Sequence, residues 1–108
     1  MGDDCWMGER EWLDNLDKLR IGKKVVISKG AMIIQGSHDY KKINYPTYSK
    51  PVVLMDGSWV GAGAMVTLGV TLGSHAVLAA GSVATKDLEP YMIYQGNPAQ
   101  PVRERIID

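Results

Sequence analysis

Two histidines, His38 and His75, are the only imidazoles in the 108-residue chain. His38 closes the run Gly36-Ser37-His38 and is followed at once by a polar stretch rich in tyrosine, whereas His75 lies inside a run of small and aliphatic residues and is expected to face solvent. A neutral imidazole with a pKa near 6.5 can take a proton from a hydroxyl as that oxygen attacks an acyl carbon. An isolated histidine serves equally as a surface or hydrogen-bonded structural residue, so its place in the chain has to decide. No nucleophile-elbow serine accompanies either one, which disfavours a covalent acyl-enzyme. Cys5 stands alone and allows no internal disulfide.

The elements that must position these groups are written in a repeat of six. From Leu54 to Leu88 an aliphatic residue or alanine recurs at Leu54, Val60, Val66, Leu72, Leu78 and Ala84, and a second column of small or aliphatic residues runs through Ser58, Ala64, Val70, Ala76, Ser82 and Leu88. Ile21, Ile27 and Ile33 continue the first column upstream, with Val25 and Ala31 in the second. A period of six fits neither an α-helix nor a coiled-coil seam, and it excludes an ordinary alternating hairpin. It fits a three-sided prism of short parallel strands, each turn taking about eighteen residues, with the aliphatic columns stacked inside. Small residues such as Gly61 and Gly73 follow the aliphatics, at or near corners where a Cβ is costly.

Composition narrows the partners. Twelve acidic and twelve basic residues cancel, which leaves no electrostatic footprint for nucleic acid or an anionic membrane. The longest apolar runs fall far short of the roughly 18 residues a membrane helix needs. The acidic start MGDDCW is not a signal peptide, so a cytoplasmic location is expected. Phenylalanine is absent, and Val, Leu, Ile, Met and Ala must build the core. The length predicts one domain over residues 1–108 whose small buried fraction favours oligomerisation.

Three segments depart from the repeat. Residues 1–20 keep a step of six at Met7, Leu13 and Leu19, although Trp12, Leu13, Leu16 and Leu19 also mark one helix face; an irregular first coil is favoured because the repeat resumes at Ile21. From Asp39 to Pro51 the hexads stop in a loop carrying three tyrosines, expected to be ordered and to return to the next coil. After Leu88 the chain leaves the repeat, and a short helix is expected from about Pro101, with proline tolerated in its first turn.

Taken with the hexads, the runs SHDY at 37–40, DGSWVGAGA at 56–64, AAGSVATKD at 79–87 and QGNPAQPVR at 95–103 resemble the hexapeptide-repeat acyltransferases. The likeness is to the branch holding the galactoside, maltose and colanic-acid O-acetyltransferases, with the colanic-acid type nearest. It implies an all-β fold, a left-handed parallel β-helix with an extended loop and a short C-terminal helix. General chain physics argues for the opposite hand, so the handedness comes from the resemblance alone. The resemblance further implies a homotrimer, with acetyl-CoA lying in a groove between subunits and a sugar hydroxyl as acceptor. His38 matches the catalytic base. Ala62 and Ala80 match positions along the pantetheine arm; Thr85, Lys86 and Arg103 match the nucleotide end; Trp59 matches a pocket wall; and Asp14 and Asn15 are acceptor candidates. Backbone amides would supply the oxyanion donors. Gln100 stands where arginine is frequent, Ala79 where glycine is usual and Leu68 where proline is common, departures that bear on coenzyme affinity. The start of the chain reads as shorter than in the resembling enzymes.

Three other functions share this prism. A zinc enzyme of the γ-carbonic anhydrase kind needs three histidines across a subunit boundary, against two here, so no metal site is expected. A non-catalytic scaffold needs neither histidine nor groove. An acetyltransferase acting on an amine or xenobiotic would use the same base and donor.

Overall fold

A computed structural model describes residues 6–7, 12–13, 19–34, 36–38 and 47–107, with side chains described at 19–34 and 50–107. Its strands wind into three parallel faces. The first holds β1 (Trp6–Met7), β4 (Val26–Ile27), β9 (Trp59–Val60), β12 (Val77–Leu78) and β14 (Met92–Gly96), in that order. The second holds β2 (Trp12–Leu13), β5 (Met32–Ile33), β10 (Met65–Val66) and β13 (Val83–Ala84), and the third β3 (Leu19–Ile21), β8 (Val52–Leu54) and β11 (Thr71–Leu72).

The register follows the hexads. Val60 pairs with Leu78, Val66 with Ala84 and Leu54 with Leu72, so each column is refilled one turn later. Strands this short have no stability alone; bonds such as Val26 N–H to Ser58 O (3.0 Å) and Met65 N–H to Ser82 O (2.8 Å) carry the ladder from coil to coil. Inside, Ile27, Ile33, Leu54, Val60, Val66, Leu72 and Leu78 are fully buried, with Val25, Ala31, Ser58, Ala64 and Ala76 filling the second column. Burying each large aliphatic contributes about 1.5–3 kcal/mol, and the stack extends that gain along the axis. Ser58 and Ser82 interrupt the apolar column. Ser82 Oγ accepts from Gly96 N–H at 3.0 Å, whereas Ser58 Oγ has no hydrogen-bond partner among the described residues.

The described residues at the beginning of the chain keep the step of six: Met7 pairs with Ile27 and Leu13 with Ile33, both in parallel register. The excursion after His38 opens with β6 (Gly36–His38) paired antiparallel to β7 (Thr47–Ser49), after which the chain joins the third face at Val52. Residues 39–46 of the expected loop lie outside the described residues.

Two expectations about the end of the chain are corrected. The repeat does not stop at Leu88: that residue bridges Leu72, and Ile93 and Tyr94 pair with Val77 and Leu78, Tyr94 being buried as the last member of the first-face column. The expected short helix is instead β15 (Ala99–Glu104), antiparallel to β14. A helix there would have left the β14 edge with unpaired backbone groups. Gly96, with φ of 111°, turns the chain back on itself, and Pro101 sits in the outermost strand, where a missing N–H costs nothing.

Candidate functional site: a bare edge beside the C-terminal hairpin

The corners between the first and second faces turn on Gly30, Gly63 and Gly81, with φ of 77°, 67° and 72°. A Cβ at Gly63 or Gly81 would meet nothing within 4 Å, so this edge is open as well as bare. Ala62 and Ala80 precede the latter two glycines and are exposed. Neither amide donates a hydrogen bond among the described residues, while Ala62 O accepts from Gly81 N–H at 2.9 Å. Gly61, buried and one residue earlier, lies against the next coil: a Cβ there would stand 2.6 Å from Ala80 N. Small residues therefore do two jobs. They let successive coils approach, and at Ala62 and Ala80 they leave exposed residues whose N–H groups have no partner among the described residues, where an extended amide-bearing chain could lie.

The hairpin of β14 and β15 closes this edge. On one side Ala80 lines a groove of about 560 Å³ with Ala79, Ile93, Gln95, Val102 and Arg103. On the other, a concavity of about 240 Å³ is lined by Thr85, Lys86, Tyr94, Ala99 and Gln100, among others. Each contains one cation, Arg103 or Lys86, and both side chains are exposed. Asp87 also lines the second concavity, but its Oδ1 accepts from Thr71 N–H at 2.8 Å. This donor set suits a ligand with a narrow amide-containing arm and phosphates at one end.

The structure thus joins Ala80 with Arg103, and Thr85 with Lys86, and places Ala62 on the same bare edge. Trp59 stands on the outer row of the first face, flanked by Val26 and Val77 and 42% exposed, with Nε1 donating to Ser28 Oγ at 3.1 Å. His38 pairs with Thr47 at the base of the loop, in a sheet separate from the three faces; its side chain lies outside the described residues. Asp14 and Asn15 lie outside them as well. Sequence reasoning missed Gln95, Ile93 and Val102 as groove residues. Alternation in Met92-Ile93-Tyr94-Gln95, inward at Met92 and Tyr94, is the signal that finds them.

No protein-family model matches the chain. It is 33% identical over 106 residues to the Escherichia coli K12 protein WcaF, named as a colanic acid biosynthesis acetyltransferase, an alignment covering 98% of this chain and 58% of the relative. It is 31% identical over 127 residues to a chloramphenicol acetyltransferase of Klebsiella aerogenes, covering 98% of this chain and 60% of that one. Among solved structures, a hexapeptide-repeat-containing acetyltransferase of Vibrio cholerae complexed with acetyl coenzyme A superposes with a TM-score of 0.73 at 25% identity, over 99% of this chain and 71% of that one. The chain spans about six-tenths of the length of these sequence relatives. The prism is therefore the left-handed parallel β-helix of the hexapeptide-repeat proteins. Its sequence is similar to the colanic-acid and galactoside O-acetyltransferases of that fold.

Among the described residues, no helix is long and apolar enough to cross a membrane.

Proposed function

We propose that this chain carries the acetyl-CoA-dependent O-acetyltransferase activity of these relatives, with His38 as general base and the hydroxyl of an exopolysaccharide-type sugar as acceptor. The observation that carries the reading is the first-to-second edge, where the Ala62 and Ala80 amides donate to no described residue and Ala80 shares a groove with Arg103, while Lys86 lies in a second concavity across the hairpin. Ala62, Ala80, Thr85, Lys86 and Arg103 would hold acetyl-CoA, which supplies an activated acetyl thioester. Gly63 and Gly81 keep the path of the pantetheine arm clear.

His38 takes the proton of the acceptor hydroxyl as its oxygen forms a bond to the acetyl carbon. The carbon–sulfur bond breaks, and the imidazolium returns its proton to the departing thiolate, so His38 ends the cycle neutral. Trp59 walls the pocket, Asp14 and Asn15 orient the acceptor, and three chains assemble around three such sites, each between subunits in the cytoplasm.

A second acceptor class has specific support. The 31% identity to a chloramphenicol acetyltransferase, over nearly the whole chain, favours a xenobiotic acceptor at the same base and donor site.

Calorimetry with acetyl-CoA beside light scattering tests the donor site, and thiol release across a panel of sugars and chloramphenicol tests the acceptor. One site per chain in a trimer, with turnover on a sugar, is the expected result. His38→Ala should abolish turnover and leave acetyl-CoA binding intact; retained turnover would falsify the assignment of the base. A folded trimer that binds no acetyl-CoA would leave a non-catalytic scaffold instead.

A further inference from the structure

The described residues hold three non-glycine residues with a left-handed backbone, and all three stand on one edge of the prism. Lys24, His75 and Tyr91 have φ of 57°, 60° and 61°, and each lies where the chain passes from the third face to the first. A side chain in this conformation costs about 1–2 kcal/mol. Such residues persist where the surroundings overdetermine them, and they collect at functional sites. The first-to-second edge turns on glycine at each of its described corners; the third-to-first edge, at the other margin of the first face, turns on glycine only at Gly57.

What they build is specific. The His75 ring lies over Gly57, in space that a Cβ at that position would occupy. The Tyr91 ring tilts against it at 31°, with centroids 4.9 Å apart. Arg105 Nη1 locks the arrangement by donating to Gly57 O at 2.9 Å and to His75 O at 3.1 Å. Tyr91 is 45% exposed, so the aromatic pair ends in an open face.

Beside it, on the third face, runs a groove of about 300 Å³ lined by Arg20, Val53, Met55, Asp56 and Ser74, among others. Asp56 and Ser74 immediately precede Gly57 and His75, and the backbone bonds His75 N–H to Asp56 O (2.8 Å) and Tyr91 N–H to Ser74 O (3.0 Å) fix groove and rings on the same corner. Asp56 Oδ1 is anchored by Lys23 N–H at 2.8 Å, which holds the carboxylate in place. Arg20 is exposed and forms no ion pair among the described residues.

One carboxylate, one guanidinium and one hydroxyl beside an aromatic face and a methionine select a ligand. A phosphate would meet Asp56 unfavourably, and a wholly apolar ligand would leave three polar groups unpaired. A neutral pyranose has both an apolar C–H face and a rim of hydroxyls, and the groove matches about one ring. We infer that the third-to-first edge is a saccharide subsite that seats a neutral hexopyranoside on Tyr91, with its hydroxyls reaching Asp56, Ser74 and Arg20. This deepens the proposed function by giving the acceptor a second point of attachment, and it rests on that reading for the choice of a saccharide.

The test uses the intact ¹⁵N-labelled protein, titrated with methyl β-D-glucopyranoside and methyl β-D-galactopyranoside while amide shifts are followed. Acetyl-CoA is titrated in a parallel sample. Saturable shifts at Asp56, Ser74, His75 and Tyr91 are expected, with affinity at least roughly tenfold weaker, about 1.4 kcal/mol, in Arg20→Ala and in Tyr91→Gly. Glycine preserves the left-handed corner while removing the ring. No saturable shift, shifts confined to Ala62 and Ala80, or affinity unchanged in either variant would overturn the subsite. Failure of acetyl-CoA to shift Ala62 and Ala80 would count against the donor reading and would leave the saccharide result standing.

Discussion

A Cβ placed on Gly61 would stand 2.6 Å from the amide nitrogen of Ala80 in the next coil. The neighbouring contacts are also backbone, Ala79 C and Leu78 O both at 2.8 Å, so no flexible side chain can move aside. The glycine is what allows one coil to seat against the next at Ala80.

Gly61→Ala should therefore destabilise the protein by about 1–3 kcal/mol through forced separation of the coils and weaken acetyl-CoA binding with it. Gly63→Asn makes the contrast. A Cβ at Gly63 meets nothing, its φ is 67°, and asparagine tolerates that conformation, so the melting temperature should fall less than for Gly61→Ala. Thermal unfolding of the two variants, with calorimetry on whatever remains folded, checks both. Equal losses would show that clash and backbone conformation are not separable here.

Ser58 and Ser82 occupy the same inner column with opposite consequences. Ser58 is fully buried with an unpartnered Oγ, and desolvating a lone hydroxyl costs about 1–3 kcal/mol. Ser58→Ala should raise stability by about 1 kcal/mol. Ser82→Ala should lower it by a similar amount, because Gly96 N–H loses its acceptor and the hairpin turn loosens. Denaturation midpoints at unchanged m-value would report the two signs directly. A destabilised Ser58→Ala would mean that the hydroxyl has a partner outside the described residues.

The alternation of columns made the prism legible from sequence, because a period of six constrains every coil in the same way: Leu54, Val60 and Val66 face inward for one reason, and each repeats it a turn later. The end of the chain was not legible by that rule. Leu78 and Tyr94 are sixteen residues apart rather than eighteen, which breaks the step and hides Tyr94 as a core residue. Pro101 reads as a helix start when no neighbouring strand is known, yet it lies opposite Tyr94 on an outer edge. At the candidate site, Ala62 and Ala80 were named from their motifs. The aromatic corner of His75 and Tyr91 was not, since those residues lie sixteen apart in the chain and meet only because coils stack.

Arg105 joins the end of β15 to that corner through two carbonyls, Gly57 O and His75 O, while its own N–H donates to Tyr91 O at 2.6 Å. Hydrogen bonds from a charged donor contribute about 1.5–3 kcal/mol in favourable geometry. Arg105→Ala should lower stability within that range and raise amide exchange along β14 and β15. Arg105→Lys should recover only part of the loss, because a single ammonium does not reproduce the planar fork.

Lys86 and Arg103 flank the hairpin from opposite sides, in separate concavities. If both serve the phosphates of the donor, Lys86→Ala and Arg103→Ala should each weaken acetyl-CoA binding by roughly fivefold, about 1 kcal/mol. The double variant should show the product of the two losses, since the cations share no partner. Both are exposed, so salt should erode the wild-type affinity and flatten that dependence in the double variant. Gln100 lies beside Lys86 without charge; Gln100→Arg should tighten binding and steepen the salt dependence. Calorimetry at two ionic strengths checks the set, and salt-independent binding by the wild type would move the phosphates away from this hairpin.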